Sequence, residues 1–423
     1  MQAELFANPF MPGAGHMPPY LAGRSREQEE FKKLLSQTVI SQNLILSGLR
    51  GVGKTVLLNH LKPIAQQAGW LWTGDEFSEQ SSLNEERIVV RIITDLSLLL
   101  GSLFLKTQVE MPIGFVGKPT SRQRPLGYDD LQKIYDATPG MVSDKLKAVL
   151  RHVGNLIAQT KVKGIVFAYD EAQNLSDHAA KDQYPMSLLL DVFQSVQKHP
   201  GGHPFILVLT GLPTLFTKLT QARTYSERMF HTMMLERLTE TESRDAITVP
   251  IKKENCPVDF HPQAIETIVK LSGGYPYFIQ FICKEAFDVY MAKLIAQEEP
   301  AVPIAQILQK LDQNFFTARW ELASDPQRLF LKVVAQLPNC EREFTAQDII
   351  RVSKDVLPKT YSNSSVTQYL ARLSDKGLVY RNRLGKYQFA VPMLSGFIQR
   401  QIEKESNLPA RFRTSSGGQQ LSS

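Results

Sequence analysis

The chain has 423 residues, of which 43% are hydrophobic and 21% charged, with 25 Gly, 24 Pro and three Cys. This composition is typical of a globular protein of roughly two to four domains, and it excludes a wholly disordered chain, a collagen-like fibre and a disulfide scaffold. The cysteines Cys256, Cys283 and Cys340 lie far apart without CxxC spacing, so we expect neither a metal cluster nor disulfides.

The net charge of +6 is concentrated at one end of the chain. Residues 324–423 carry 15 Lys and Arg against 8 Asp and Glu. A polyanion would therefore bind in this region. The N-terminus lacks the features of a signal peptide, and the most apolar run, residues 96–105, is about half as long as a membrane span. We expect a cytoplasmic protein that does not bind membranes.

The first half of the chain predicts an α/β sheet. Residues 1–20, rich in Pro, Gly and Met, predict an extended arm. Further along, short apolar segments alternate with longer amphipathic ones, as in a parallel sheet with crossover helices. The predicted strands are residues 43–47, 70–74, 164–170, 205–211 and 231–236. Between predicted helices at 84–105 and 141–160, residues 106–140 predict an inserted loop.

The second half predicts helices. Residues 239–297 predict three helices and 298–303 a turn, and we assign 239–323 to one helical domain. Residues 324–403 predict a helix-rich domain with a late hairpin. The end, 404–423, predicts a disordered tail because it is rich in Ser, Gly and Gln.

The segment GLRGVGKT at 48–55 matches GxxxxGK[ST], and it lies between a predicted strand and a predicted helix. Backbone N–H groups of such a loop surround phosphate oxygens. Lys54 would neutralise the β and γ phosphates, and the Thr55 hydroxyl would bind Mg²⁺. The alternative is a Gly-rich turn that caps a helix. The predicted nucleotide contacts are Gly48, Leu49, Arg50, Gly51, Val52, Gly53, Lys54, Thr55 and Val56.

A second motif is the apolar strand GIVFAY, which ends in Asp170 and Glu171. The carboxyl ends of parallel strands form the ligand-binding edge of an open sheet. Asp170 would bind Mg²⁺, and Glu171 would polarise the attacking water. The alternative is a strand that simply ends in acidic residues.

Together these motifs resemble the AAA+ and STAND P-loop ATPases, over about residues 20–300. The resemblance implies an α/β fold: an AAA+-like parallel five-stranded sheet with helices as the ATPase core (21–238) and a helical lid (239–323). A separate resemblance, described below, assigns residues 324–403 to a C-terminal winged helix. The AAA+ and STAND resemblance also implies ATP and Mg²⁺ as cofactors, and ATP hydrolysis.

The same resemblance implies further site residues. Residues 20–35 resemble the hhGRExE box, in which Arg24 would line the nucleotide and Ser25 replaces the usual Glu. Thr210 occupies the place of the sensor-1 residue, whose hydroxyl could bind the γ phosphate or the attacking water. The alternatives are a capped helix start and an ordinary strand-end Thr.

Arg223 and Arg228 precede the last strand, where AAA+ proteins carry an arginine finger, and Arg228 is our first choice. A finger supplied in trans requires a neighbouring subunit, although a surface Arg is the alternative.

The lid carries a further motif, Gly274-Tyr275-Pro276, which resembles the GxP motif of STAND and archaeal-type ATPases. By that resemblance Pro276 packs near the nucleotide base; the alternative is a Pro that begins a helix. No Arg occurs between Arg244 and Arg319, so the lid lacks the sensor-2 Arg of AAA+ initiators.

The C-terminal segment resembles a winged helix, with helices predicted at 325–337, 345–353 and 364–379 and a hairpin up to 391. Such a fold places its third helix in the major groove of DNA and its wing on phosphates. Docking of a protein is the alternative. The predicted DNA contacts are Ser364, Thr367, Gln368, Arg372 and Lys376 on the helix, and Arg381, Arg383 and Lys386 on the wing.

Two functions follow. The first is an ATP-hydrolysing AAA+ protein similar to origin-recognition initiators and transposition-type regulators. In it, the ATP state controls homo-oligomerisation and the engagement of double-stranded DNA and of a protein partner. The alternative is a STAND-type switch, in which the winged helix packs on the ATPase core and holds a partner effector off. The basic C-terminal region favours the first, and the GxP motif and the missing sensor-2 Arg favour the second.

Overall fold

The structure is a computed structural model that describes residues 7–13, 15–101, 104–108, 121–198, 202–256, 259–298 and 303–407, without the side chains of the segments 104–108 and 121–125 or of Arg383. Most of the turn predicted at 298–303 and the tail beyond 407 lie outside these residues. None of the described helices has both the length and the apolar character that crossing a membrane requires.

The five strands predicted for the sheet are present to within one residue at each end, and two further strands, 104–108 and 121–125, were not predicted. The strands are β1 (Asn43–Gly48), β2 (Trp70–Thr73), β3 (Phe104–Gln108), β4 (Ser121–Pro125), β5 (Gly164–Tyr169), β6 (Phe205–Gly211), β7 (Phe230–Leu235), β8 (Val379–Arg383) and β9 (Lys386–Phe389).

The helices of the region predicted as the ATPase core, 21–238, are α1 (Ser25–Leu35), α2 (Lys54–Gln67), α3 (Glu85–Leu100), α4 (Tyr128–Ala137), α5 (Val142–Ile157), α6 (Pro185–Lys198), α7 (Thr214–Ala222) and α8 (Ser226–Met229). The later helices are α9 (Glu240–Lys253), α10 (Pro262–Ser272), α11 (Pro276–Ala296), α12 (Ile304–Leu311), α13 (Thr317–Glu321), α14 (Asp325–Val334), α15 (Ala346–Val356), α16 (Asn363–Asp375) and α17 (Leu394–Asn407).

A five-stranded parallel sheet in the order β2-β5-β6-β1-β7 forms the core of the first half, which confirms the predicted fold class. Its residues alternate between two hydrophobic clusters. One cluster contains the buried faces of α1 and α2, and the other contains those of α3, α5 and α6. Because all five strands are parallel, their carboxyl ends lie at one edge, where the loop between β1 and α2 also lies.

The predicted loop at 106–140 is wrong in part. Within it, β4 pairs antiparallel with β3, and α4 packs between α3 and α5. Leu131 and Tyr135 of α4 are buried because residues four apart lie on the same face of a helix. The predicted tail also begins too early, since α17 continues to Asn407.

The described part of the N-terminal arm, 7–13 and 15–20, crosses the lid. The Phe10 side chain is 1% exposed, and its ring centroid lies 6.3 Å from that of Phe260. The Asn8 amide donates to the Lys284 carbonyl oxygen (3.0 Å), and Met11 N–H donates to Gln280 Oε1 (3.0 Å). These contacts hold the arm against α11.

The lid and the C-terminal region share one hydrophobic cluster. A π-helical turn, Asp312–Phe316, joins α12 to α13. Phe316 stacks between Phe278 of α11 and Phe397 of α17, with ring centroids 5.8 Å and 5.3 Å apart. Beyond it, α14, α15 and α16 are followed by the β8–β9 hairpin, which is the element order that we predicted for a winged helix.

Candidate functional site

The loop between β1 and α2 is folded around the Lys54 ammonium. Gly51 and Gly53 have φ values of +80° and +90°, in the left-handed region that favours glycine. Lys54 Nζ donates to the carbonyl oxygens of Gly48 (3.0 Å) and Leu49 (3.1 Å). Burial lowers the pKa of Lys54, and the nearby Glu171 and Asp170 carboxylates oppose that effect. The loop therefore presents a desolvated cation at the edge of the sheet.

The carboxyl end of β5 contacts this loop directly. Thr55 Oγ1 donates to Asp170 Oδ2 at 2.5 Å, and Asp170 Oδ1 accepts from the Glu171 N–H at 2.8 Å. Glu171 has a φ of +49°, which is strained for a residue with a side chain and is typical of functional sites. The two predicted Mg²⁺ ligands are thus neighbours.

Gln173 positions the Glu171 side chain. Its amide nitrogen donates to Glu171 Oε2, and its Oε1 accepts from Leu212 N–H at 3.0 Å. Lys218 Nζ in turn donates to the Gln173 carbonyl oxygen at 2.6 Å. The sequence analysis missed this contact, although Gln173 lies only two residues after Glu171.

The oxygen atoms at this edge suit Mg²⁺. A hydroxyl and a carboxylate are hard ligands, and Mg²⁺ usually takes one or two carboxylates and fills its other positions with water and substrate phosphates. Thr55 and Asp170 supply that set. Glu76, which pairs with Asp170 through a backbone bridge, adds a third carboxylate nearby. The pKa of Glu76 is raised by burial and by the charges of Glu171 and Asp170.

Thr210 lies at the centre of this edge. It belongs to β6, between β5 and β1, and is paired in register with Leu46. Its side chain is fully buried, and Oγ1 has no hydrogen-bond partner among the described residues. A buried hydroxyl without a partner destabilises the fold by about 1–3 kcal/mol, so the presence of a hydroxyl at position 210 needs a reason other than stability.

Two contacts connect the loop to the neighbouring elements. Arg24 is buried, and its Nη2 donates to the carbonyl oxygens of Val52 (3.0 Å) and Glu236 (2.8 Å). The Tyr277 N–H, next to Pro276 at the start of α11, donates to the Gly51 carbonyl oxygen at 3.2 Å. The lid is therefore hydrogen-bonded to the loop between β1 and α2, which is called the phosphate-type loop below.

A cavity of about 500 Å³ brings together most of the predicted site residues. Gly48 and Leu49, whose carbonyl oxygens accept from Lys54, line a second cavity instead, and Asp170 is connected to this one by its hydrogen bond with Thr55. The predicted residues that line it are Arg24, Arg50, Gly51, Val52, Gly53, Lys54, Thr55, Val56, Glu171 and Pro276. The residues that the sequence analysis missed include Met11 and His16 of the arm, and Asn314, Phe315 and Arg319 between the lid and the C-terminal region.

The two candidate finger residues have different environments. Arg223 is bound to Asp191 through two hydrogen bonds, of 2.9 and 2.6 Å. Arg228 is exposed and forms no ion pair among the described residues. It lines a pocket with Gln197, which binds the first residues of β1 and β6, so Arg228 lies at the edge opposite to the cavity. Arg228 therefore does not reach the cavity that the other predicted site residues line.

Most of the predicted DNA-contacting side chains of α16 are exposed. Ser364, Thr367, Gln368 and Arg372 form its outer face, and Arg381 of β8 is also exposed.

Two basic residues of this set differ from expectation. Lys376 Nζ instead donates to the Leu322 carbonyl oxygen and to Gln327 Oε1, each at 2.7 Å. Lys386 is half-buried, and its charge contributes to the lowered pKa of Asp348. The side chain of Arg383 is not among those described.

The comparisons with known proteins agree with this geometry. Residues 20–199 match the model of the AAA ATPase domain, and residues 313–398 match a domain of unknown function, DUF8462. No curated protein matches the chain.

Among solved structures, the Aeropyrum pernix ORC2 protein in its ADP form aligns with a TM-score of 0.55 and 13% identity, over 92% of this chain and 97% of the other. The ADPNP-ADP complexes of ORC2 align with a TM-score of 0.52 and 14% identity, over 93% and 98%. Residues 20–199 are therefore similar to the AAA ATPase domain, and the chain has the fold of these ORC2 structures, which confirms the predicted resemblance.

The unpartnered hydroxyl gives a first testable prediction. Because Thr210 Oγ1 makes no hydrogen bond, Thr210→Val should leave the free energy of unfolding unchanged or raise it by about 1 kcal/mol. The matched control is Thr73→Val, since the Thr73 hydroxyl is also buried but donates to the Asp95 carbonyl oxygen at 3.0 Å. The control should lose about 1–2 kcal/mol in urea denaturation. Equal losses in both variants would show that Thr210 has a structural role instead.

Proposed function

We propose that this protein is a Mg²⁺-dependent ATPase whose nucleotide state controls its assembly and its engagement of double-stranded DNA. The observation that carries the proposal is the hydrogen bond of Thr55 to Asp170, at a cavity that Thr55 lines together with Lys54 and Glu171. A Gly-rich loop with a desolvated Lys, facing a carboxylate pair, suits a nucleoside triphosphate and little else. The similar ORC2 structures, an ADP form and ADPNP-ADP complexes, support this choice of ligand.

Each residue has a defined part in the reaction. Lys54 would neutralise the β and γ phosphates, and Thr55 and Asp170 would hold Mg²⁺. The bound Mg²⁺ would offset the charge that develops on the phosphate oxygens. The Glu171 carboxylate would accept the proton of the attacking water, in an orientation that depends on the Gln173 amide. The buried Thr210 hydroxyl would gain its missing partner from the water or the γ phosphate.

Completion of the site would require a second subunit. Arg228 lies at the far edge of the sheet, and β1 alone spans about 20 Å at ~3.3 Å per residue. In a homo-oligomer Arg228 would reach the γ phosphate of the neighbouring subunit. A chain that stays monomeric with ATP bound would contradict this assignment.

The roles of Glu171 and Lys54 can be tested separately. Glu171→Gln should bind ATP with nearly unchanged affinity but lose about 10²–10⁴-fold in turnover, because the amide cannot accept the proton. Lys54→Ala should lose ATP binding itself, measured by calorimetry. Unchanged turnover in Glu171→Gln, or normal affinity in Lys54→Ala, would refute the respective role.

DNA contact is proposed for the outer face of α16. The exposed Thr367, Gln368 and Arg372 lie on one side of this helix, and Arg381 lies on the hairpin beside it. The excess of positive charge in residues 324–423 supports a phosphate-contacting surface.

Arg372→Ala should weaken binding to a double-stranded DNA fragment and reduce the slope of log affinity against log salt by about 1, because one phosphate contact is lost. The matched control is Arg26→Ala, which removes an exposed arginine from α1 of the ATPase core. Fluorescence anisotropy at several salt concentrations measures both. Equal slopes for Arg372→Ala and the unsubstituted protein would place DNA contact elsewhere.

The packing of the C-terminal region favours the alternative function, the partner-gated switch. The C-terminal region packs beside the phosphate-type loop: a Cβ atom on Gly377, after α16, would lie 3.6 Å from Arg50 Nη1. A second cavity of about 610 Å³ is lined by the end of β7, the lid and the β8–β9 hairpin. Copurified ADP, slow turnover and no DNA binding at low salt would establish this function instead.

A further inference from the structure

A positively charged residue from outside the ATPase core enters the nucleotide cavity. Arg319 belongs to α13, which follows the π-helical turn Asp312–Phe316. It lines the cavity together with Lys54, Thr55 and Glu171. Interruptions of this kind in a helix are frequent at functional sites, because the extra residue redirects the side chains that follow. None of the sequence motifs identified above includes Arg319.

The Arg319 guanidinium has no carboxylate partner among the described residues. It lies 4.1 Å above the Phe315 ring and donates to the Phe315 carbonyl oxygen. Burial and the nearby charge of Arg50 lower its pKa, although a guanidinium stays protonated at neutral pH. A half-buried cation without a counter-ion is costly, and that cost would be recovered when an anion binds.

Arg50 extends this unbalanced charge toward Lys54. It lies in the phosphate-type loop, forms no ion pair among the described residues and is close enough to both Lys54 and Arg319 to affect the pKa of each. Arg50, Lys54 and Arg319 all line this cavity. Lysines at this place in a GxxxxGK[ST] loop contact the β and γ phosphates, so a phosphate chain bound by Lys54 would lie in the cavity that Arg50 and Arg319 also line.

We propose that Arg319 binds the terminal phosphate of the nucleotide, so that the region matched by the domain of unknown function supplies a residue to the ATP site. This inference rests on the nucleotide binding proposed above. The match begins at residue 313, inside the π-helical turn, and Phe316 of the same turn packs on Phe397 of α17. Loss of the terminal phosphate would therefore release Arg319. The segment that contains Arg319 also contains Phe316, which packs in the core of the C-terminal region.

The test compares a diphosphate with a triphosphate in a variant that keeps the packing. Arg319→Met retains an unbranched stem against Phe315 but removes the charge. Its control, Arg351→Met, removes an arginine that is 72% exposed and paired with Asp348 on α15. Calorimetry of the full chain with Mg²⁺ and ADP, and then with Mg²⁺ and the non-hydrolysable triphosphate ADPNP, measures both affinities.

We expect Arg319→Met to lose about tenfold in affinity for ADPNP, because one charge-assisted hydrogen bond to the terminal phosphate is lost. The affinity for ADP should change by less than about threefold. Arg351→Met should match the unsubstituted protein for both ligands. Unchanged ADPNP affinity, or an equal loss for both ligands, would overturn the role of Arg319 and leave the proposed function standing. If the unsubstituted protein binds neither nucleotide, the proposed function fails, and this inference with it.

Discussion

The hydrogen bond from Thr55 to Asp170 connects parts of the sheet that are not neighbours. β1 and β5 are separated by β6, so the bond passes over the end of β6, where Thr210 is buried. Because β5, β6 and β1 are parallel, the phosphate-type loop, the acidic pair and the unpartnered hydroxyl lie at the same edge. The strain at Glu171 and the missing partner of Thr210 are both concentrated there.

Other parts of the chain enclose this edge. The N-terminal arm covers it from the side of the lid, Arg24 holds the loop against the end of β7, and Tyr277 connects the loop to α11. The lid in turn shares its aromatic cluster with the C-terminal region through Phe316. Continuous contacts therefore join the phosphate-type loop to the C-terminal region through the lid.

The sequence alone predicted the features that depend on local patterns. The sheet strands are short apolar runs. The phosphate-type loop and the acidic pair, Asp170 and Glu171, are each contiguous in the sequence. It missed α4 because Pro and Gly on both sides of Tyr128–Ala137 concealed a short helical period. The engagement of Lys376 depends on Leu322 and Gln327, and the place of Arg319 depends on how α13 packs on the ATPase core. Neither depends on a spacing that a single sequence displays.

The most direct test of the central claim is ATP turnover by the purified protein with and without double-stranded DNA, at low and then at moderate salt, with Glu171→Gln as the blank. The account predicts a Mg²⁺-dependent turnover that DNA stimulates and that loses the stimulation as salt rises, because phosphate contacts are screened. Turnover that does not exceed the blank, or a protein that retains ADP and does not respond to DNA, would contradict a DNA-directed ATPase.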